Sequence, residues 1–527
     1  MFLKAKCVFF LANNLEEDER ASVQVSDAMD DMGYSDNMIK QRRAMYEKID
    51  DGFNINDHQF IQITAGSKAD GLAKPYESDR DIMFESKCVE CVLSGDDDLA
   101  KVNSTLFGVV EEGCHPGHYK LKLLRKGGVY DEHIEQALLH DDTTGNDFLS
   151  SCLFTTGIRS KESYLENSDS VFRKKVKTGP SLPRSKGLYE EDRVYAFRCL
   201  SQKKILASWH SMDRHHWPTK ELRDEVIKYP AHLVPVGCKG SPTFDMEWRI
   251  CFTRGEKLLT ASLNNCQQKL FILLKKVNST HLKPISESMS SFIMKHVLYC
   301  IVGKNEQKLF TPNTLLHFLI KSLLQLKEAF RCGFLPYFMI PERNVLLNKF
   351  TESETNFLLK KLDKLIEEGP KCVLSLTIIS QSLQQCVIER KRMGQLRDKM
   401  EVIKLEKMRI RARVYEQGIS EVDNIKRAWE QEGYDKLHKE LFDLLNPDWK
   451  NAFIEEVLTE NIDMNIYSPK EREHILTVGK IFFEAEWPHH LKYLNIKRHD
   501  YTLDSLKDKS IIKVCGLWCL RLLQKLQ

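Results

Sequence analysis

The stretch "ITAGSKADGLAKPYESDRDIMF", from Ile63 to Phe84, decides the fold of the first half of the chain. A short apolar run ends at a Gly-Ser pair, and after a polar segment Ser-Asp-Arg-Asp leads into Ile-Met-Phe. The apolar runs predict two strands, and the polar segment between them predicts a turn. Asp79 and Asp81 therefore lie two residues apart at the start of the second strand.

The two aspartates are candidate metal ligands. Residues two apart on a strand project from the same face of a sheet, and paired carboxylates bind Mg²⁺ together with phosphate oxygens. Asp-x-Asp is also common in solvated turns, so the pair alone leaves both interpretations open. Gly66 and Ser67 favour the first, because backbone N–H groups and a hydroxyl at a turn after a strand suit a triphosphate.

A third carboxylate is needed as a general base for a ribose hydroxyl. The stretch "EEDRVYAFRCL" offers Asp192 directly before an alternating apolar strand. Glu190 and Glu191 are the alternatives in the same stretch, where they otherwise read as turn residues.

Composition limits the class of protein. The chain has 527 residues and a formal net charge of +3, which predicts several domains and excludes a uniformly basic nucleic-acid coat but not a local basic groove. The 15 cysteines lack the spacing of a small disulfide domain, which favours reduced thiols. No apolar run approaches the ~20 residues of a membrane span, and the first one is short for a signal peptide. We expect a cytoplasmic protein with no membrane span.

The chain is predicted to be α+β, with a change of character near Gly255. Residues 15–36 are acidic and polar, and we expect them to be loosely ordered, whereas "SDNMIKQRRAMYEKIDDGF" predicts a long helix before the first strand. The predicted divisions are an acidic N-terminal segment over residues 1–36, an α+β core over 37–255, an all-α helical lobe over 256–370 and a charged helical C-terminal extension over 371–527.

The ordered motifs resemble a known family. "GSKADGL" followed by "SDRDIMF" resembles the nucleotidyltransferases of the cyclic GMP-AMP synthase-like receptors, within the wider male-abnormal-twenty-one family. The motifs "DRVYAF", "HLVPVG", "EWRICFTRGEKLL" and "LPYFMIPERNVL" follow in the family's order, so the resemblance covers roughly residues 35–370. It implies a bilobed nucleotidyltransferase fold, in which a mixed, mostly antiparallel sheet forms the core and the helical lobe closes a cleft.

The resemblance also implies the roles of individual residues. Asp79, Asp81 and Asp192 would bind two Mg²⁺ or Mn²⁺ ions and act in catalysis. The implied nucleotide-binding residues are Gly66, Ser67, Arg249, Lys275, Ser291, Phe292 and Lys295. An aromatic ring in a cleft can stack on a base and lysines can neutralise a triphosphate. Alternatively, Phe292 is a core residue, and Lys275 and Lys295 lie on a solvated helix face.

Zinc is not predicted. Vertebrate cyclic GMP-AMP synthase carries a zinc ribbon before the equivalent of "LFILLKKV", whereas this chain has no insertion there and one cysteine, Cys266. Cys88 and Cys91 form a single C-x-x-C pair without a partner pair. The charged extension after Gly369 is a second departure from the shorter family members.

A receptor of this type binds double-stranded nucleic acid through the helix before the first strand and neighbouring basic segments. Without a zinc thumb, the family favours double-stranded RNA, recognised by its A-form shape, over double-stranded DNA. The candidate residues are Lys40, Arg42, Arg43, Arg173, Lys174, Lys175 and Lys177. Both clusters are alternatively ordinary solvated helix faces.

The function predicted from the sequence is a nucleic-acid-sensing nucleotidyltransferase of innate immune signalling. It would join two nucleoside triphosphates, such as ATP and GTP, into a cyclic dinucleotide and release pyrophosphate. One alternative is a catalytically silent family member acting as an interaction or scaffold protein. Another is a linear nucleotidyltransferase, against which the "EWRICF" and "IPERN" motifs argue.

Overall fold

The computed structural model describes residues 15–74, 77–128, 132–165, 180–186, 189–214 and 216–417. The predictions for residues 418–527 lie outside this part of the chain, as do those for Arg173, Lys174, Lys175 and Lys177. The strands are β1 Phe60–Ala65, β2 Arg80–Val92, β3 Thr105–Val110, β4 His118–Arg125, β5 Leu138–Asp141, β6 Asn146–Leu149, β7 Leu182–Lys186, β8 Tyr189–Cys199, β9 Ala231–Val234, β10 Glu247–Cys251, β11 Pro336–Tyr337 and β12 Ile340–Asn344.

The α-helices are α1 Leu15–Met29, α2 Asp36–Asn56, α3 Gly66–Ala69, α4 Glu132–Ala137, α5 Ser151–Leu165, α6 Gln202–Ile205, α7 Ala207–Ser211, α8 Lys220–Val226, α9 Thr253–Ala261, α10 Asn265–Val277, α11 Ser291–Gly303, α12 Leu315–Arg331, α13 Glu352–Glu368, α14 Thr377–Gln384 and α15 Val387–Glu416. This mixture of a sheet and many helices confirms the predicted α+β class.

The large sheet closes on itself. Strand β2 pairs with β3, β3 with β4, β4 with β10, β10 with β9, β9 with β8, and β8 returns to β2. Strands β1 and β2 are antiparallel, whereas β2 and β8 are parallel. Trp248 and Phe197 stack inside, with ring centroids 5.0 Å apart. Consecutive residues are buried in β2, β3 and β9, so these strands are covered on both faces along part of their length.

The prediction of a loosely ordered segment over residues 15–36 is wrong. Helix α1 buries Ala21, Val25, Ala28 and Met29, which lie at helical spacing along one face. That face packs on the helical lobe, and of the acidic residues of the first turn Glu16 is exposed while Glu17 and Asp18 are half-buried. The prediction rested on the mostly polar composition of the segment and overlooked the few apolar residues that form one narrow face of the helix.

The long helix predicted before the first strand is confirmed as α2. Its N-cap is Ser35, whose hydroxyl oxygen accepts a hydrogen bond from the Met38 N–H at 3.4 Å. A π-helical turn, Asp30–Tyr34, connects α1 to α2 and contains Gly33 at a φ of +91°. One side of α2 packs on β1 and another packs on α15.

The helical lobe begins with α9, and α10 to α13 have the predicted periodicity. Helix α10 begins with a capping box between Asn264 and Gln267 and is buried over most of its length. After Gly369 the described chain continues as α14 and α15. Among the helices described here, none is long and apolar enough to cross a membrane.

Candidate functional site

Strand register brings two of the predicted carboxylates together. Strands β2 and β8 are parallel, and Asp81 lies directly opposite Asp192 in their ladder. Directly opposed residues of neighbouring strands project from the same face. Asp79 stands immediately before β2, two residues from Asp81, and all three aspartates are half-buried. Glu191 is instead ion-paired with Arg193 on the same strand, at 3.0 Å.

The carboxylates are not gathered into a metal-ready cluster in the present arrangement. Within the described ranges, no group of three or more His, Cys, Asp or Glu side chains has the spacing to hold a metal ion. Each of Asp79, Asp81 and Asp192 already has a polar or electrostatic partner in the protein. The backbone register sets their juxtaposition, and an ion would require the side chains to turn toward it.

The backbone of Gly66 lies directly against the Asp81 carboxylate. It has a φ of +63°, and a Cβ atom at this position would come 2.1 Å from the Asp81 Oδ2 atom. Any larger residue would displace the carboxylate, and the positive φ would strain it as well. Gly66 opens a segment over residues 66–74, here called the Gly-Ser loop, that follows β1 and begins with the single turn of α3.

Lys275 connects the helical lobe to the Gly-Ser loop. Its Nζ atom donates a hydrogen bond to the Ser67 hydroxyl at 2.8 Å. Burial lowers the pKa of Lys275, and the Glu77 carboxylate opposes that shift. The side chain is turned inward to the loop, so Lys275 does not lie on a solvated helix face, and its contact with a nucleotide stays a prediction.

Lys295 is buried and doubly paired. Its ammonium lies 3.1 Å from an Asp70 carboxylate oxygen and 3.8 Å from one of Glu256. Burial alone would lower the pKa of Lys295, but Asp70 and its other neighbours raise it well above its usual range. This lysine is therefore charged and holds the Gly-Ser loop against α11. Ser291, at the start of α11, is exposed.

Phe292 lies in an aromatic cluster beside two arginines. Its ring is stacked with that of Tyr337 at a centroid distance of 6.0 Å and meets His296 edge-on at 4.4 Å. The Arg343 guanidinium lies over the Tyr337 ring at 4.7 Å and donates to the carbonyl of Ile250 at 3.2 Å. Burial and the nearby positive charge of Arg249 lower the pKa of Arg343, so the predicted base-contacting arginine lies at the same end of the site.

Several residues of the site were not predicted as site residues. The additional residues are Asp70, Glu256, Tyr337, Arg343 and Lys349. Burial, Arg249 and Arg343 together lower the pKa of Lys349 to about 8, which marks this end as strongly cationic. Asp70 lies in "GSKADGL" and Arg343 lies in "IPERN", so both were within recognised motifs, although neither motif reveals a side-chain contact.

The basic residues predicted on α2 differ in exposure. Lys40 is exposed and pairs with Asp36 at 2.6 Å. Arg43 is half-buried and donates to the Asp70 carbonyl at 3.2 Å. The prediction that Arg42 contacts nucleic acid is corrected, because its side chain is 0% exposed and ion-paired with Glu401. Sequence alone did not reveal that another helix covers this side of α2.

The described chain thus combines a mixed sheet, a helical lobe and two carboxylates opposed across neighbouring strands. Residues 266–364 match the family profile described as "Mab-21 protein HhH/H2TH-like domain", which confirms the resemblance predicted from the motifs.

A curated relative also matches, the "Cyclic GMP-AMP synthase-like receptor" of Microplitis demolitor. It is 29% identical over 144 residues, which is 27% of this chain and 26% of the relative. The match thus spans about a quarter of the relative's length.

Proposed function

We propose that this protein is a nucleotidyltransferase that joins two nucleoside triphosphates into a cyclic dinucleotide, such as cyclic GMP-AMP, in innate immune signalling. The observation that carries the proposal is the parallel register that sets Asp81 opposite Asp192. The Gly-Ser loop borders these carboxylates through Gly66, and its Ser67 is held by Lys275. The name of the matched relative, a cyclic GMP-AMP synthase-like receptor, supports the same reaction.

The carboxylates would hold divalent ions. Their hard oxygens suit Mg²⁺ or Mn²⁺, and the bare backbone of Gly66 leaves room for the Asp81 carboxylate at the strand end. Asp79 and Asp81 would hold both ions and Asp192 one of them. When bound, two such ions neutralise a triphosphate and stabilise the attacking and leaving oxygens.

The chain's own residues would bind and orient the nucleotides. The Ser67 hydroxyl and the backbone N–H groups of the loop would contact the donor triphosphate, and Lys275 would offset its charge. Because burial lowers the pKa of Lys275, an added phosphate would favour its charged form. Phe292 and Arg249 would contact a base at the aromatic end.

Forming the ring takes two phosphoryl-transfer steps, and the same kinds of bond form and break in each. The ribose oxygen of one nucleotide bonds to the α-phosphorus of another, and the bond to pyrophosphate breaks. Asp192 would help to remove the hydroxyl proton, which passes on to solvent. A second transfer between the joined nucleotides closes the ring. The rate would come mostly from positioning and charge neutralisation.

Double-stranded RNA is the proposed activating ligand, with double-stranded DNA as the alternative. Lys40 is exposed on α2, and the Arg43 side chain links α2 to the Asp70 carbonyl of the Gly-Ser loop. A phosphate backbone lying on α2 would thus act close to the loop. Such binding would weaken as salt concentration rises.

The test is a product assay with purified full-length protein. All four labelled nucleoside triphosphates are incubated with Mg²⁺ or Mn²⁺, with and without double-stranded RNA or DNA. A small product that resists phosphatase is expected from the wild type and from Asp98→Asn, an exposed control, and not from Asp81→Asn or Asp192→Asn.

Two other results would contradict the proposal. Products that lengthen into a ladder would indicate a linear nucleotidyltransferase. No product with any ligand, combined with tight binding to another protein, would indicate a scaffold protein.

A further inference from the structure

We propose that helix α15 is an internal support of the Gly-Ser loop, and that Glu401 of this helix positions the loop through Arg42. Glu401 is thus a positioning residue for a reaction centre that it does not touch. The role assigned to the loop rests on the proposed function, whereas the mechanical coupling between α15 and the loop does not.

Arg42 joins three segments of the chain. Its Nε and Nη2 atoms donate to the two Glu401 carboxylate oxygens at 2.5 and 2.8 Å. Nη2 also donates to the Gly33 carbonyl at 2.6 Å, and Nη1 to the Gly71 carbonyl of the Gly-Ser loop at 3.4 Å. One planar guanidinium therefore fixes α15, the turn before α2 and the loop in a single geometry.

The ion pair is fully enclosed. The Arg42 and Glu401 side chains are 0% and 1% exposed. Burial would raise the pKa of Glu401, but Arg42 lowers it below its usual range, so the carboxylate is charged. Arg397 is a second enclosed cation, with Nη1 3.4 Å from Glu401. Displacing Glu401 would leave buried charge uncompensated, so the arrangement resists displacement.

Helix α15 packs closely against the turn before α2, so a contact from Glu401 can restrain the position of Arg42. A Cβ at Gly33 would come 1.6 Å from the Arg397 Nη1 atom, and a Cβ at Gly394 would come 2.6 Å from the Asp31 carbonyl oxygen. Arg390 pairs with the Asp31 carboxylate at 2.7 Å. These contacts lock α15 onto the turn that precedes α2.

An apolar seam continues the docking along α2. It consists of Met45 from α2 with Leu405 and Ala412 from α15, bordered by Ile49 and Met408. The buried pair therefore does not hold the two helices together alone. We therefore expect α15 to stay docked on α2 when the pair is altered.

On the side away from Glu401, Arg42 contacts the middle of the Gly-Ser loop at the Gly71 carbonyl. Gly71 has a φ of +70°, and a Cβ there would come 2.2 Å from the Ile39 carbonyl oxygen of α2. Its neighbour Asp70 accepts from Arg43 through its carbonyl and from Lys295 through its carboxylate. The loop is thus held from α2 and from α11, and Arg42 adds the link to α15.

The test measures amide hydrogen exchange of residues 66–74 without nucleotide. The double variant Arg42→Leu with Glu401→Leu removes the guanidinium together with its counter-ion, and the buried Arg397 keeps Asp398 as its ion-pair partner, so we expect the apolar seam to keep α15 protected. We expect the loop amides to exchange about tenfold faster while α15 is unchanged. Glu389→Gln is the matched control on the same helix, because it breaks an exposed pair with Arg392 at 2.7 Å.

Arg42→Lys serves if the double variant does not fold. It keeps a positive charge beside Glu401 but cannot reach both the carboxylate and the two carbonyls. Faster loop exchange with retained protection of α15 is again the expected result. Loop exchange equal to the wild type in a folded Arg42 variant would overturn the proposal, as would slower exchange.

Nucleotide kinetics give the second readout. Loosening the loop is expected to raise the KM for triphosphates about tenfold with a smaller effect on kcat. A variant more active than the wild type would show that α15 restrains catalysis, which contradicts a supporting role. If the wild type neither binds nor converts triphosphates but the loop still responds to Arg42, the proposed function fails and the coupling stands.

Discussion

The Lys275 ammonium lies 2.8 Å from the Ser67 hydroxyl, and this contact joins the helical lobe to the loop that follows β1. The lysine belongs to α10, within the segment that matches the Mab-21 domain profile, whereas the serine precedes that segment by nearly two hundred residues. A triphosphate at the Gly-Ser loop would therefore contact both parts of the chain.

Replacing Lys275 should weaken nucleotide binding without unfolding the protein. A hydrogen bond to a charged group contributes ~1.5–3 kcal/mol, so Lys275→Met should raise the Kd for a triphosphate roughly 10- to 150-fold. Calorimetric titration with a non-hydrolysable triphosphate measures this. Lys283→Met is the control, because Lys283 is exposed and only loosely paired with Glu287 at 3.9 Å. Equal affinities for the two variants would argue against a phosphate at Lys275.

Gly66→Ala should abolish product formation by moving Asp81. The added methyl group would stand 2.1 Å from the carboxylate oxygen, in addition to the cost of about 1 kcal/mol or more for a positive φ. Gly145→Ala separates the two effects, because Gly145 has a φ of +67° and nothing within 4 Å of its Cβ position. We expect both variants to lose stability in urea titrations and only Gly66→Ala to lose the cyclic product. Loss of product in both would assign the effect to backbone strain.

Phe292→Leu distinguishes a base-stacking residue from a core residue. Stacking on a base contributes ~1–3 kcal/mol, so this variant should lose roughly 5- to 150-fold in nucleotide affinity with little change in Tm. Phe310→Leu is the opposite case, because Phe310 is buried and stacked on Phe318 at 4.0 Å. It should lower Tm and leave nucleotide affinity unchanged. If both variants only lower Tm, Phe292 belongs to the core.

Stability should depend on pH through Lys68. This side chain is buried, its Nζ donates to the Lys74 carbonyl at 2.5 Å, and burial lowers its pKa to about 7 from 10.5. Between these pH values the unfolded chain binds a proton that the folded chain does not, so the lysine's contribution to the free energy of unfolding rises with pH. Below pH 7 both states are protonated and the burial penalty is complete.

Urea titrations at about pH 6.5 and about pH 9.5 measure this dependence. The free energy of unfolding of the wild type minus that of Lys68→Met should be larger at the higher pH. An equal difference at both pH values would contradict a lowered pKa.

The strands and the carboxylates could be predicted because their signals are local. Alternation over a few residues predicts β2 and β8, although β8 begins at Tyr189 and so includes Asp192, which was predicted to stand directly before the strand. Arg42 could not be assigned in this way, because its partner Glu401 lies 359 residues away. Helical periodicity cannot tell which side of α2 another helix will cover. The same limit concealed the pairing of Lys295 with Asp70.

The register of the parallel ladder between β2 and β8, rather than distance along the chain, sets the two carboxylates opposite each other. More than a hundred residues separate Asp81 from Asp192, and insertions or deletions between them leave the pair unmoved while the ladder persists. A slip of β8 by a single residue would instead turn Asp192 to the opposite face of the sheet. Changes of length in the intervening chain are therefore tolerated, whereas any shift of register between the two strands would separate the carboxylates, by about 3.3 Å per residue along the ladder and, for an odd-numbered shift, also by face.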